Sequence, residues 1–384
     1  MEYKRLGDYI REVNVRNRDE KVTKLVGLTI DKAFIPSVAN VIGTDLSTYK
    51  VISHEQFACS LMQVSRDGKM PVAMFEEDEA IMSPAYPMFE VIDKKLLLPK
   101  YLMMWFSRSE FDREASYYAV GGVRGSLTWE DFCNMTLPIP SIDRQREIVE
   151  EYETLSRRIS LNEQMIQKLE ATAQALYRKM FVDGIDKENL PEGWRMGTIG
   201  DFGEVITGKT PSSDNPEDFG DKMPFITPGD FSNYKKFAVG AERWLSEVGI
   251  RRLKGKVLPI GSVIVTCIGS DMGKVVIASE ECITNQQMNS IVVKLGEYTD
   301  YLYYVLSSMT KELKAMAVGS STMPLLNKSD FERIAIPKPP SDLLVEFSQL
   351  VAAENTMHLL KMKETSKLKE LQSLLLARMG NLKQ

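Results

Sequence analysis

From Ile148 onward the apolar positions recur in alternating steps of four and three: Ile148, Tyr152, Leu155, Ile159, then Met165 and Ile166, Leu169, Ala173, Leu176 and Met180. This period predicts a single helix from about Ile142 to Phe181 with the seam of a coiled coil. At 1.5 Å per residue it would be roughly 60 Å long, a spacer and not a core helix. Asn162 fills the one seam slot that should be apolar, either as a register device or as a partly solvated gap. A looser stripe, Phe347, Leu350, Met357, Leu360, Leu368, Leu371 and Leu375, interrupted by Glu364, predicts a second helix from about Ser341 to Met379. Neither stripe can be buried by one helix alone, so an antiparallel coiled coil within the chain is expected.

Ahead of each helix lie well over a hundred residues of mixed pattern. Short β-rich runs such as Val257-Leu258 and Ser262-Val263-Ile264-Val265-Thr266 are punctuated by glycine and proline. The two stretches are copies. Leu6-Gly7-Asp8 recurs as Ile199-Gly200-Asp201, and Trp129-Glu130-Asp131-Phe132 leading to Leu137-Pro138-Ile139-Pro140 parallels Lys328-Ser329-Asp330-Phe331 leading to Ile336-Pro337-Lys338-Pro339. The second match continues without a gap into the helices, pairing Leu161 with Leu360, Leu169 with Leu368, Leu176 with Leu375 and Met180 with Met379. The fold class expected is α+β with a pseudo-twofold internal repeat. Mixed domains at 1–140 and 194–340 alternate with helices at 141–182 and 341–384, and a linker at 183–193 contains Leu190-Pro191-Glu192-Gly193, with Trp194 opening the second domain.

The length of 384 residues suits two or three domains, and 43% hydrophobic with 26% charged residues is ordinary globular usage. No run approaches the ~18 apolar residues of a membrane span. MEYKRLGDYI places charges where a signal peptide needs an apolar stretch, so a cytoplasmic location is expected. Cys59, Cys133, Cys267 and Cys282 form no C-x-x-C pair, which fits reduced thiols, and with only His54 and His358 most histidine-based metal and acid–base sites are excluded. The net charge of −5 argues against a free-standing nucleic-acid binder.

Gly203-Glu204-Val205-Ile206-Thr207-Gly208-Lys209-Thr210 satisfies the P-loop pattern, but Glu204-Val205-Ile206 looks like strand. The next residues, Pro211-Ser212-Ser213-Asp214-Asn215-Pro216, cannot open the helix that a phosphate cradle requires. Ser83-Pro84-Ala85-Tyr86 only superficially matches an amino-methyltransferase loop, having Ala for the second proline, and reads as a turn. No catalytic or metal-ligating set recurs in both copies, which suggests recognition and not chemistry. Basic clusters stand at Arg11, Arg16 and Arg18, at Lys235-Lys236, and at Arg251-Arg252-Lys254-Lys256, each either a phosphate contact or an ordinary solvated face. Polar residues near glycine are better base readers, because close backbone approach lets them reach base edges: Lys209, Thr210 and Ser212; Lys274 after Gly273; Asn285, Gln286 and Gln287; and Arg66, Lys69 and Arg124 in the first copy.

Several of these segments carry a resemblance: Gly208-Lys209-Thr210-Pro211-Ser212, Pro224-Phe225-Ile226-Thr227-Pro228-Gly229-Asp230-Phe231, the run from Gly261 to Val265 with Ile268-Gly269 and Gly273-Lys274, Asn285-Gln286-Gln287, and Asp143-Arg144-Gln145-Arg146-Glu147-Ile148. In the first half, Phe57-Ala58, Ser83-Pro84-Ala85-Tyr86 and Arg124-Gly125-Ser126-Leu127 look like another domain subtype. Over essentially its full length the chain resembles the specificity subunits of type I restriction–modification enzymes. The resemblance implies two target recognition domains, each reading one half of a split double-stranded DNA site, on a chain that is not itself catalytic. It also implies two modification (methyltransferase) subunits as partners, with restriction (translocase/nuclease) subunits in the full enzyme. S-adenosylmethionine, ATP and Mg²⁺ would then belong to those partners, with no cofactor on this chain and no membrane. A two-headed coiled-coil scaffold that binds only proteins is the alternative.

Overall fold

A computed structural model describes residues 3–37, 43–62, 64–120, 125–186, 188–269, 271–317 and 326–380. The chain divides into two compact units, Met1–Ser160 with Lys367–Gln384, and Leu161–Ser366. Both long helices are present, Ile142–Phe181 and Ser341–Met379, and each contributes residues to both units.

In the first unit a short antiparallel pair, Tyr3–Arg5 with Thr136–Pro138, ties the beginning of the domain to its end. Between them lie a four-stranded sheet in the order Ile10–Val13, Met88–Val91, Phe57–Cys59, Val72–Met74, and a three-stranded sheet of Val15–Arg16, Lys50–Ser53 and Glu79–Met82. Helices Pro99–Phe106, Ser109–Ala119 and Trp129–Asn134 cover one face, and Phe57, Phe89, Phe106, Phe111 and Phe132 meet there at ring separations of 4.9–6.1 Å. Ile148, Val149 and Tyr152 of the first long helix join this core together with Leu375, Leu376 and Met379 of the second.

The second unit repeats the plan. Arg195–Thr198 pairs with Ala335–Lys338. A five-stranded sheet runs Gly203–Thr207, Met288–Val293, Val263–Thr266, Val275–Ala278, Phe237–Ala238, antiparallel except for its last pair, beside a three-stranded sheet of Arg243–Leu245, Phe219–Ile226 and Ile283–Thr284. Helix Tyr298–Ser308 packs on Ala173, Tyr177 and Phe181 of the first long helix and on Leu344, Phe347 and Val351 of the second. The duplication is visible in single bonds. Tyr101 donates its hydroxyl to Pro138 O at 3.0 Å, and Tyr301 donates to Pro337 O. Thr128 caps helix Trp129–Asn134 by accepting from Asp131 N, and Asn327 caps Lys328–Glu332 by accepting from Asp330 N.

Within each unit the long helices run antiparallel. In the first, Ser156 accepts from Gln372 Nε2 at 2.7 Å; in the second, Phe181 packs on Phe347 at 5.1 Å and Glu170 faces His358. The first helix buries Ile148, Ile159, Ile166 and Ala173, as its stripe predicts. The second helix buries Phe347 as its stripe predicts but departs from prediction elsewhere. Leu350, Met357, Leu360 and Leu371 are exposed, while Leu344, Val351, His358, Thr365 and Met379 are buried. These buried positions fall on a seven-residue spacing, so the inward face passes through polar side chains that a search for apolar residues skips. Asn162 is 2% exposed, and its Nδ2, like Thr365 Oγ1 and His358 Nε2, has no partner among the described residues.

Gln145 anchors the first long helix from a fully buried position. Its Oε1 accepts from Leu98 N at 2.9 Å, and its Nε2 donates to Leu96 O and Pro140 O at 2.8 and 2.9 Å. Gln145→Ala removes the partner of three backbone groups, of which Pro140 O is in the buried bond, and equilibrium denaturation should show a loss of about 2 kcal/mol. Burial, with Lys236 nearby, lowers the His358 pKa to about 4, although Glu170 Oε2 lies 3.9 Å from its Nδ1. Between that value and its unfolded pKa near 6.5 the unfolded chain binds a proton that the folded one does not, so stability falls as pH drops through this window. His358→Leu should remove up to about 3 kcal/mol of that dependence, measured as the difference between unfolding curves at neutral pH and near pH 4.

Candidate nucleic-acid interface

In the second unit Gly203–Thr207 is a strand in register with Met288–Val293, from Gly203 opposite Val293 to Thr207 opposite Asn289. The P-loop pattern is therefore occupied by strand, and the chain beyond Gly208 continues as loop until the single turn Pro216–Asp218. Gly208 is wedged against the neighbouring segment, where a Cβ would stand 2.1 Å from Asn285 O and 2.3 Å from Thr284 O. That approach lets Lys209 N donate to Thr284 O at 2.9 Å and lets Thr210 Oγ1 donate to Gln286 Oε1. Asn285 and Gln287 lock the facing loop: Asn285 Nδ2 donates to Gln287 Oε1 at 3.0 Å and Gln287 N donates to Asn285 Oδ1 at 3.1 Å. Two groups of residues chosen from separate stretches of sequence thus form one patch. Lys209 and Gln286 are exposed on it, and the Lys209 ammonium has no ion-pair partner among the described residues.

Ser212 lies further along the same loop and donates to Asp214 Oδ2 at 3.3 Å. Lys274 is on the turn between Val263–Thr266 and Val275–Ala278, 2.7 Å from Asp271 Oδ1. It lines a cleft of about 300 Å³ with Tyr234, Lys235, Ser307 and Thr310, and no hydrogen bond among the described residues joins its side chain to the Gly208 patch. Lys235 and Lys236 are not one basic cluster. Lys236 is 1% exposed, its ammonium 2.8 Å from Asp300 Oδ1, and it is unavailable to a phosphate. Sequence reading also missed Arg243, whose guanidinium lies 4.0 Å over the Phe219 ring; only the pairing of Phe219–Ile226 with Arg243–Leu245 brings them together.

In the first unit Arg66 forks onto Asp67, Nε to Oδ1 at 2.6 Å and Nη2 to Oδ2 at 3.0 Å, which holds the Asp67 carboxyl below its ordinary pKa. Lys69 lies 3.1 Å from Asp31. Arg124 lies outside the described residues. Its neighbour Gly125 has φ +70° and meets Ser65, where a Cβ would stand 2.1 Å from Ser65 Oγ, so residue 125 is beside the helix turn that carries Arg66. Arg11 is held by Glu90, and Arg252 by Glu217 and Asp218. Ser83 to Tyr86 is the expected turn, closed by Tyr86 N to Ser83 O at 3.2 Å. No group of three His, Cys, Asp or Glu side chains suited to a metal occurs among the described residues, and none of their helices is long and apolar enough to cross a membrane.

The architecture defines a class: an α+β recognition module written twice, each copy followed by a long helix. The family model for the type I restriction modification DNA specificity domain matches residues 64–171 and 191–344, and the chain belongs to that family. It is 28% identical over 375 residues to the HindI specificity subunit of a type I restriction enzyme from Haemophilus influenzae, covering 79% of this chain and 81% of the relative. Identity to the MjaIX specificity subunit of Methanocaldococcus jannaschii is 34% over 157 residues, 40% of this chain and 36% of that one. The crystal structure of the type I restriction–modification S subunit from M. genitalium superposes with a TM-score of 0.63 at 13% identity, covering 100% of this chain and 96% of that one, and shows the same fold.

Gly208→Ala should push the Lys209–Thr210 segment off the 284–287 loop, because the atoms in the way are backbone carbonyls. The expected result is a stability loss of at least about 2 kcal/mol and faster amide exchange at Lys209, whose bond to Thr284 O would open.

Proposed function

We propose that this chain is the DNA-reading, non-catalytic subunit of a type I restriction–modification enzyme. Residues 1–140 and 194–340 are its two target recognition domains, each addressing one half of an asymmetric split site, and 141–182 and 341–384 are spacer helices joined through the linker 183–193. One observation carries the proposal: a duplicated α+β domain with the same tyrosine-to-carbonyl bond in both copies, each copy delivering its chain into a long helix. A dimeric reader addresses half-sites through two identical heads; a duplication inside one chain lets the heads diverge and read unlike halves. The family membership favours this reading over a scaffold that binds only proteins.

In the second domain we assign base reading to the patch of Lys209, Thr210, Asn285, Gln286 and Gln287, with Ser212 further along the same loop and Lys274 in the cleft beside Lys235 as additional candidates. Arg66, Lys69 and Arg124 are the corresponding candidates in the first. Glutamine and asparagine suit bidentate contact with adenine, and an unpaired lysine suits guanine or phosphate.

Two modification subunits, with restriction subunits in the full enzyme, are the proposed partners, and S-adenosylmethionine, ATP and Mg²⁺ would be theirs. In the first unit Leu155, Leu371, Leu374 and Leu375 line a groove of about 560 Å³ between the long helices, rimmed by Glu147, Glu150, Glu151 and Arg378. Leu371 and Leu374 are about half exposed there, an apolar stripe suited to the helix of a partner. The site of action is the cytoplasm.

Methylated-base mapping in cells carrying this chain with its modification subunits should reveal a split motif; the absence of sequence-dependent methylation would sink the proposal. Thr210→Ala with Gln286→Ala should relax one half of the motif only, at about 1–3 kcal/mol per lost base contact. Leu371→Asp with Leu374→Asp should weaken co-purification with the modification subunits by about 100-fold or more while leaving the melting temperature nearly unchanged.

A further inference from the structure

The interior of the second unit holds a run of charged and polar groups with no counterpart among the base-reading candidates. Lys236 precedes the short strand Phe237–Ala238, and its side chain is fully buried, with the ammonium 2.8 Å from Asp300 Oδ1 and donating to Tyr304 Oη at 3.2 Å. Asp300 and Tyr304 belong to helix Tyr298–Ser308. Asp300 Oδ1 also accepts from Asn355 Nδ2 at 2.8 Å, and Asn355 is on the second long helix. The Tyr304 hydroxyl donates to Glu170 Oε2 at 3.4 Å, and Glu170 is on the first long helix. His358, next along the buried face, sets its ring edge-on to Phe237 at 5.4 Å. One run, buried at Lys236 and Asp300 and half-buried at Asn355 and Glu170, therefore links the recognition sheet, its covering helix and both long helices.

We propose that this run is a positioning device. It fixes the angle at which the second recognition domain is seated on the helix pair, and through that angle it helps select the gap between the two half-sites. Lys236, Asp300 and Asn355 are its positioning residues. The inference rests on the DNA-reading proposal above.

The physical case is one of direction against adhesion. Apolar contacts such as Tyr177 with Tyr304 hold surfaces together but tolerate sliding, and a buried ion pair adds little net stability over an apolar pair of the same volume. A hydrogen bond, by contrast, is directional: it is lost by about 3.6 Å and weakens steeply once its angle falls below about 120°. Two contacts reach the long helices, Asp300 with Asn355 and Tyr304 with Glu170, and the buried Lys236 holds Asp300 and Tyr304 in the positions from which they make them. A tilt of roughly 10° would move a reading surface roughly 20 Å from the helices by about 3.5 Å, one base-pair step. The first unit solves the same problem differently. There Gln145, a neutral side chain, holds the backbone, and the ion pair at the matching end of the covering helix, Lys100 with Glu153, is solvated.

The test maps methylated bases in cells that carry the full chain with its modification subunits. Asn355→Leu is the first variant, and Lys236→Met with Asp300→Leu is the second; removing both charges together avoids a lone buried charge that would unfold the domain. Both half-motifs should stay unchanged while the preference for the parental gap over gaps one base pair longer or shorter drops about tenfold, the size of one lost charge-assisted hydrogen bond. A parental gap preference in a variant of parental melting temperature overturns the inference. So does methylation that falls uniformly at an unchanged gap with a lowered melting temperature, since that is a structural role only. If the unaltered chain directs no split-site methylation, the DNA-reading proposal falls and takes this one with it; if it does and the variants keep one gap, only the positioning role falls.

Discussion

Two helices of about forty residues, one with an asparagine and the other with a histidine and a threonine on its buried face, have little between them to hold them in one place. Isolated helices are marginal in water, and amphipathic packing usually supplies the missing stability. Here that packing is concentrated where each long helix meets a domain core. Ile148 and Val149 sink into the aromatic core of the first unit, and Tyr177 and Phe181 into that of the second. The chain enters each helix directly from a strand pinned by a tyrosine hydroxyl, Pro138 under Tyr101 and Pro337 under Tyr301. Once the ends are fixed in this way, the stretches between can carry Asn162, Thr365 and His358 inward without the helices losing their partners.

That arrangement explains what the sequence revealed and what it withheld. The duplication was legible because the repeated elements are local: a capped helix turn, a proline-flanked strand and a helix start, each written in adjacent residues. The rejection of the P-loop was legible for the same reason, since strand chemistry at Glu204-Val205-Ile206 and the prolines after Thr210 decide the matter without tertiary knowledge. The polar patch around Gly208 was half legible. Lys209 and Gln286 each stood out near glycine or in a polar run, but nothing local says that the strand register opposite Val293 and Asn289 will place them side by side.

What stayed hidden was the fate of individual charges. Lys235 and Lys236 are identical neighbours in sequence, yet one lines an open cleft and the other is buried against Asp300. The distinction comes from the parallel pairing of Phe237–Ala238 with Ile277 and Ala278, a contact between residues about forty positions apart. An apolar stripe misplaces the inward face of the second long helix for a related reason: His358 and Thr365 take buried positions on it, and what packs against them, not the helix's own sequence, decides that. Local pattern reports what a residue can do in water, and the partner waiting in the fold decides what it does.

The distribution of charge also bears on how an acidic chain could hold DNA. Arg11, Arg66, Lys69, Arg252 and Lys274 each stand within hydrogen-bond or ion-pair distance of a carboxylate, so their positive charge is largely answered before any phosphate arrives. Non-specific affinity scales with the number of phosphates neutralised, and each of these five side chains would have to exchange a carboxylate for a phosphate to add to it. On the proposed reading specific contact does not suffer in the same way, because an exposed amide side chain such as Gln286 can meet a base edge without net charge. On the proposed reading the chain contributes selection and its partners contribute grip. A reader that adheres weakly to every sequence and geometrically to one can release wrong sites quickly, and its discrimination then depends on how rigidly each domain is seated on its helices.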